Sequence, residues 1–174
     1  MYVTDFVDEY RRWRKAAERA IAQVPDDQFN RVLFKDGNSV AMLMRHVGGN
    51  LASRFGEFLT ADGEKPSRDR DGEFAEGPFT RAEAQAIWDK GWNTLDENVS
   101  PLPDDALDKM VAIRGVPLSV HSALTRSLAH IANHCGQIIL LARILATGEW
   151  QWITIPKGKS REYNANPIHE KAPR

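Results

Sequence analysis

Two histidines, His130 and His134, stand four positions apart in the segment LAHIANHCGQ. On a helix this spacing puts both side chains on one face, where two imidazoles can bind one metal ion. The spacing by itself is weakly specific, since helices also carry such pairs by chance. A zinc-protease helix is excluded, because that motif needs glutamate directly after the first histidine and Ile131 stands there. The pair therefore predicts metal ligands without a neighbouring general base.

A third histidine, His46, starts a line of polar residues on another predicted helix. Asn50 and Arg54 follow at successive steps of four, and Glu57 comes eleven residues after His46, nearly in line with it. Such a line predicts either the polar wall of a cavity or a helix edge at the solvent boundary. A catalytic metal site combines protein ligands with an open position, and three imidazoles can supply those ligands. The candidate ligands are His46, His130 and His134.

The two remaining histidines are not expected at this site. His121 falls in the first turn of the last predicted long helix, well before His134, and a surface position is predicted for it. His169 lies in the proline-containing C-terminal end, where an exposed or disordered position is predicted. The metal-site hypothesis therefore depends on the other three.

Hydrophobic periodicity predicts four long helices that must position these residues. They are expected at about residues 4–24, 39–60, 80–99 and 119–147. In the last helix, one apolar stripe covers residues 124–145, and a second stripe over residues 123–144 has the histidine pair at its centre. A helix that buries two adjacent stripes needs neighbours on both flanks, as in the interior of a helical bundle.

Local signals mark where these helices begin and what lies between them. The predicted N-terminal caps are Thr4, Asn38 or Ser39, Thr80 paired with Glu83, and Ser119. Residues 109–118, with Arg114-Gly115 at their centre, predict a small hairpin or an irregular connection. Residues 61–78 form a polar loop of a length that is typical of functional or disordered segments. Its mixture of arginines, acidic residues and Phe74 predicts a packed lid.

The C-terminal tail, residues 150–174, differs in kind from the helices. Trp150, Trp152 and the apolar residues 153–155 predict an extended segment packed against them. The tripeptide Gly158-Lys159-Ser160 resembles the end of a phosphate-binding loop. That interpretation is rejected, because Ile153 stands where the first glycine of the motif belongs and no helix is expected to follow.

Composition limits the classes of function. A chain of 174 residues with 42% hydrophobic and 27% charged residues predicts one globular domain with its own core. The net charge of -1 argues against nucleic-acid binding by bulk electrostatics. The single cysteine, Cys135, excludes an intrachain disulfide and is predicted to be a core residue. The N-terminus lacks a signal-peptide pattern and no apolar run of membrane-spanning length is evident, so a cytoplasmic location is expected.

Four segments together resemble a known superfamily over nearly the whole chain. They are NSVAMLMRHVGGNLASRF, DGEKPSRDRDGEF, HIANHCGQI and IPKGKS, and they are similar to the DinB/YfiT-like superfamily of proposed metal-dependent enzymes. The resemblance implies an all-α fold, a four-helix bundle with one long crossover connection, and a homodimer. It also implies a divalent metal ion, zinc or nickel, on His46, His130 and His134; three nitrogen ligands do not decide between the two metals.

The resemblance further implies an activity. Related proteins transfer thiols, using bacillithiol, mycothiol or glutathione, or are isomerases of that type, so a low-molecular-weight thiol is the expected small-molecule partner. Asn50, Arg54, Arg70 and Glu73 are the candidate substrate contacts, with an arginine holding a carboxylate of the thiol. One alternative is a metal-dependent hydrolase with Glu57 or Glu73 as base. The other is a non-catalytic stress or interaction protein, for which a fourth protein ligand at the metal would be the sign.

Overall fold

The computed structural model describes residues 2–167, so the prediction for His169 and the end of the tail lies outside the described residues. The chain is mainly helical. In chain order the elements are α1 (Val3–Ile21), α2 (Val40–Phe55), α3 (Arg70–Glu73), α4 (Arg81–Val99), β1 (Met110–Ile113), β2 (Val116–Ser119), α5 (Val120–Leu145) and α6 (Ser160–Ala165). Single 3-10 turns occur at Asp26–Gln28 and Asp104–Asp108. The four predicted long helices are therefore present as α1, α2, α4 and α5.

The long helices pack mainly in two pairs, α2 along α4 and α1 along α5, and all four contribute to one hydrophobic core. Helices α2 and α4 approach each other closely at Gly48 and Gly91. A Cβ atom on Gly91 would lie 2.3 Å from the carbonyl oxygen of Gly48, so any side chain there would push the helices apart. In the second pair, the buried Tyr10 hydroxyl donates to the carbonyl of Leu124 at 3.0 Å. These contacts hold the two histidine-bearing helices, α2 and α5, on a common core.

Three of the four predicted caps are confirmed. The side-chain oxygens of Ser39, Thr80 and Ser119 accept backbone N–H groups at the starts of α2, α4 and α5. Thr4 is not a cap, because α1 begins one residue earlier and Tyr2 precedes it. The first N–H of that helix instead donates to Asp104, 2.9 Å away in another part of the chain. A long-range partner of this kind leaves no local pattern in the sequence.

Helix α2 ends at Phe55, five residues before the predicted end. Gly56 leaves the helix with ψ at 124°, and Glu57 follows in the left-handed region with φ at 53°. The expectation that Glu57 continues the polar line of His46 is therefore wrong, since that line assumed an unbroken helix. The Glu57 side chain is exposed.

The predicted hairpin is confirmed, with Ile113 and Val116 paired across its turn. Arg114 and Gly115 form the turn with φ values of 55° and 72°, as two-residue hairpin turns require. The carboxylate of Asp62 accepts their backbone N–H groups at 2.8 and 2.7 Å. Hydrogen bonds from Gly115, Glu64 and Arg114 lower the pKa of Asp62 to about 2. The start of the 61–78 loop is thereby fixed to the hairpin.

The tail packs on α1 as predicted, although it also contains a helix. Arg19 donates to the carbonyls of Trp152 and Ile153, and Ile153 is buried. The expectation that no helix follows residues 158–160 is wrong, because α6 begins at Ser160. Asn164 lies inside that short helix, which ends just before Asn166 and Pro167.

Among the described helices, α5 is the one that is long and apolar enough to cross a membrane by length and composition. This differs from the expectation that no apolar segment reaches spanning length. Core helices of soluble proteins meet the same criterion, and one face of α5, from Leu124 to Leu145, lies in the hydrophobic core.

Candidate metal centre

Three imidazole side chains from two helices lie close together. His46 comes from α2, and His130 and His134 come from successive turns of α5. One nitrogen from each ring lies within 4.8 Å of the others. The ring centroids are 4.5 to 5.2 Å apart. The three histidines are therefore close enough to bind a common metal ion.

Hydrogen bonds select which nitrogen each ring can offer. Nδ1 of His46 lies 2.9 Å from Oε2 of Glu73, and Nδ1 of His134 lies 3.2 Å from Oε1 of Gln137. Both oxygens accept hydrogen bonds, so each Nδ1 carries the proton and each Nε2 keeps a lone pair. Nε2 of His130 is buried and has no hydrogen-bond partner within residues 2–167. An orphaned, buried nitrogen facing two other imidazoles fits a divalent cation.

The protonation state also suits metal binding. Burial, together with the charges that His134 and His46 carry when protonated, lowers the pKa of His130 to about 4. Burial likewise lowers the pKa of His134. Both rings are therefore neutral at pH 7, which is the form that binds a metal ion.

Glu73 lies behind His46 and supports it. Its two carboxylate oxygens each accept a hydrogen bond from Arg68 at 2.8 Å, and Oε2 also faces the His46 ring. Burial acts to raise the pKa of Glu73, but hydrogen bonds from His46 and Arg68 outweigh it and the net pKa is lowered. A carboxylate that holds the far nitrogen of a metal-binding histidine fixes the ring's orientation and tautomer. Glu73 was predicted as a substrate contact or a base; its position is that of a support for His46.

The space for this carboxylate is provided by a glycine of α2. A Cβ atom on Gly49 would lie 2.2 Å from Oε1 of Glu73. Glu73 itself is carried by α3, where the Asp69 side chain caps the helix by accepting the backbone N–H of Gly72. The loop of residues 61–78 therefore packs against the histidine cluster, which agrees with the interpretation as a packed lid.

A polar cavity of about 200 Å³ adjoins the histidines. His46 and His130 line it, and so do three of the residues predicted to contact substrate, Asn50, Arg54 and Arg70. Glu57, the remaining predicted residue, does not line it and is exposed beyond the end of α2. The structure thus brings three of the five non-histidine candidates to the cavity, places Glu73 behind His46 and leaves Glu57 outside.

Sequence reasoning missed several residues of this cavity. Arg126 lies one turn before His130 on α5, so extending the histidine line by one step of four would have found it. Arg114 lines the cavity from the hairpin turn, and no local sequence pattern predicts that position. Ser127 also lines the cavity. Cys135 is fully buried, and burial raises its pKa to about 12, so it is a core thiol as predicted.

Comparison with known proteins identifies a family but no activity. No functionally curated protein matches the chain. The sequence profile of one protein family matches residues 1–159 of the 174. Because that match covers most of the chain, including all three histidines and the arginines of the cavity, the protein belongs to the family described as "Protein of unknown function (DUF1572)".

Proposed function

We propose that this protein is a metal-dependent enzyme of the DinB/YfiT-like type, in which His46, His130 and His134 bind a zinc or nickel ion. The observation that carries the proposal is Nε2 of His130, which is buried beside two other imidazoles and has no hydrogen-bond partner among the described residues. Leaving a polar atom buried without a partner costs about 1–3 kcal/mol, which a bound cation would offset. The four-helix bundle topology, a single domain, a homodimer and a cytoplasmic location belong to the same proposal.

The ligand set favours a catalytic role over a structural one. A structural zinc site is normally closed by four protein ligands, whereas a catalytic site keeps an open position. Within the described chain, the cluster that could hold a metal consists of the three histidines alone. The nearby carboxylate of Glu73 is engaged by His46 and Arg68. The cavity beside the histidines supplies space for a small molecule next to an open position.

A thiol-dependent S-transferase is the reaction that we propose. When bound, a divalent ion would lower the pKa of a thiol at its open position, so that a nucleophile is available at neutral pH. The residues of the chain would bind and orient the reactants: Asn50 supplies an amide at the cavity wall, and Arg70 supplies a guanidinium group for a carboxylate. Arg54, the other arginine expected to contact substrate, lines the cavity but pairs with Glu64. A metal-dependent hydrolase is less well supported, since Glu57 is exposed and does not line the cavity, and both oxygens of Glu73 accept hydrogen bonds from Arg68 and His46.

Metal analysis of protein purified without an affinity tag tests the metal site. We expect about one divalent ion per chain in the wild type and far less in His130→Ala. His121→Ala is the matched control, because His121 is an exposed histidine at the start of the same helix. Circular dichroism checks that the variants fold. Equal metal content in the wild type and folded His130→Ala would remove the transferase and hydrolase proposals together.

Substrate panels then separate the reactions. The metal-loaded protein is assayed with low-molecular-weight thiols plus electrophiles and, in parallel, with esters and amides. Turnover of the first panel alone supports the transferase, and turnover of the second panel alone overturns it in favour of a hydrolase.

A further inference from the structure

The cavity beside the histidines has an unusual concentration of positive charge. Five arginines line it: Arg54, Arg68, Arg70, Arg114 and Arg126. Among residues 2–167, no aspartate or glutamate lines it. Two carboxylates, Glu64 and Glu73, form ion pairs with members of the group. The nearby Asp62 uses its oxygens on the backbone N–H groups of the hairpin turn.

The arginines divide into those that pair with a carboxylate and those that do not. Arg68 is almost fully buried and pairs with both Glu73 and Glu64. Arg54 lies 3.0 Å from Glu64, and Arg114 shares the same carboxylate oxygen at 3.0 Å. Two carboxylates therefore form ion pairs with these three arginines. The ion pairs connect the 61–78 loop with α2 and the hairpin.

Arg70 and Arg126 differ from these three arginines. Neither forms an ion pair with any residue between positions 2 and 167, and both are exposed at the cavity. Arg70 lies on α3, its guanidinium carbon 5.5 Å from the centre of the Phe74 ring. Arg126 lies on α5, one turn before His130. Two unpaired cations thus reach the same cavity from different elements.

From this arrangement we infer that the cavity binds a small molecule with two anionic oxygen groups, carboxylate or phosphate, which Arg70 and Arg126 recognise. Guanidinium groups bind both kinds of oxyanion through paired N–H donors. A ligand with a single negative charge would leave one positive charge of this pair unbalanced, and a cationic small molecule would be repelled by both guanidinium groups. The inference deepens the proposed function by naming the substrate class, and its catalytic meaning rests on that function.

Direct binding measurements test the inference by isothermal titration calorimetry. The protein is used as purified and, in parallel, after a chelator has been added and then removed by dialysis. The probes are glutarate as a dicarboxylate, inorganic pyrophosphate as a phosphate, and acetate as a single carboxylate. We expect saturable binding of at least one dianion, much weaker binding of acetate, and weakening by added salt. The stronger of the two dianions identifies the oxyanion chemistry.

Arginine variants locate the binding site. We expect Arg70→Gln and Arg126→Gln each to weaken dianion binding about five- to tenfold, as loss of one charge-assisted contact at a partly exposed site would do. Arg12→Gln is the matched control, because Arg12 is an exposed arginine on α1 outside the cavity, and its binding should equal the wild type. Unchanged affinity in both cavity variants, or equal binding of glutarate and acetate, would overturn the inference.

The two proposals fail in different ways. Dianion binding without any metal in the wild-type protein would refute the proposed enzyme and leave the anion site standing. Stoichiometric metal without dianion binding would refute the anion site and leave the metal centre standing.

Discussion

Arg68 and Arg126 line the same cavity but differ in almost every physical respect. The side chain of Arg68 is only 4% exposed, and it pairs with two carboxylates, one of which holds His46. Arg126 is exposed and has no ion-pair partner in the described part of the chain. The positive charge of Arg68 is balanced by carboxylates inside the protein, whereas the positive charge of Arg126 is free to bind a ligand. We infer that the inner side of the cavity positions the histidines and that the rim meets the ligand.

The largest expected difference between the two sides is in stability. In Arg68→Ala, the buried carboxylate of Glu73 would lose its arginine partner, and Glu64 would lose one of its three arginine partners. We expect the free energy of unfolding to fall by about 3 kcal/mol. Arg126 is exposed and forms no ion pair or side-chain hydrogen bond with residues 2–167, so Arg126→Ala should change that free energy by less than about 0.5 kcal/mol. Urea unfolding of the two variants measures both values. Equal losses would show that the inner and outer arginines do not differ as described.

Metal affinity should depend on residues at the inner side of the cavity and not on residues at its rim. In Glu73→Gln the carboxylate that orients His46 becomes an amide of the same shape, and we expect divalent-metal affinity to fall about 10- to 100-fold. Arg70→Gln, on the rim, should leave metal affinity unchanged. Competition with a chromophoric chelator measures both. A drop in Arg70→Gln as large as that in Glu73→Gln would contradict the division.

Two glycine substitutions test whether Glu73 supports His46, and neither of them alters a charged group. Gly49→Ala introduces a methyl group where Glu73 Oε1 now lies, so the carboxylate must move away from His46. We expect metal affinity to fall about tenfold, near the lower limit for such supporting contacts. Gly136→Ala is the control, because a Cβ atom at that position meets nothing within 4 Å. If both variants bind metal like the wild type, the Glu73 contact is dispensable.

A further expected effect is a pH dependence of the metal-free protein. The pKa of His130 is lowered to about 4 in the folded state, below its ordinary value near 6.5. Between those values the unfolded chain binds a proton that the folded one does not, so stability falls as pH decreases from about 6.5 to about 4. We expect His130→Gln to lose less stability over this range than the wild type, as measured by urea midpoints. Parallel curves would show that His130 does not contribute.

Local patterns predicted the parts of the site that lie along single helices. The spacing of His130 and His134 and the line from His46 through Asn50 to Arg54 follow directly from helix geometry, and the structure places these five on α2 and α5. The prediction for Glu57 was wrong because it extended the helical pattern past Gly56, where the backbone leaves the helix. Helix ends are set by competing backbone partners, and periodicity alone does not report them.

The sequence by itself therefore determined the long helices, most of their caps, the hairpin and the three histidines that could share a metal ion. The tertiary structure alone decided that Glu73 lies behind His46 and that Arg68 pairs with two carboxylates inside the loop. It also decided that Arg70 and Arg126, at the rim, form no ion pair with the described residues. The physical reason is the range of the interactions involved. Helix faces repeat over a few neighbouring residues, whereas the charge balance of a cavity depends on loops and helices brought together from distant parts of the chain.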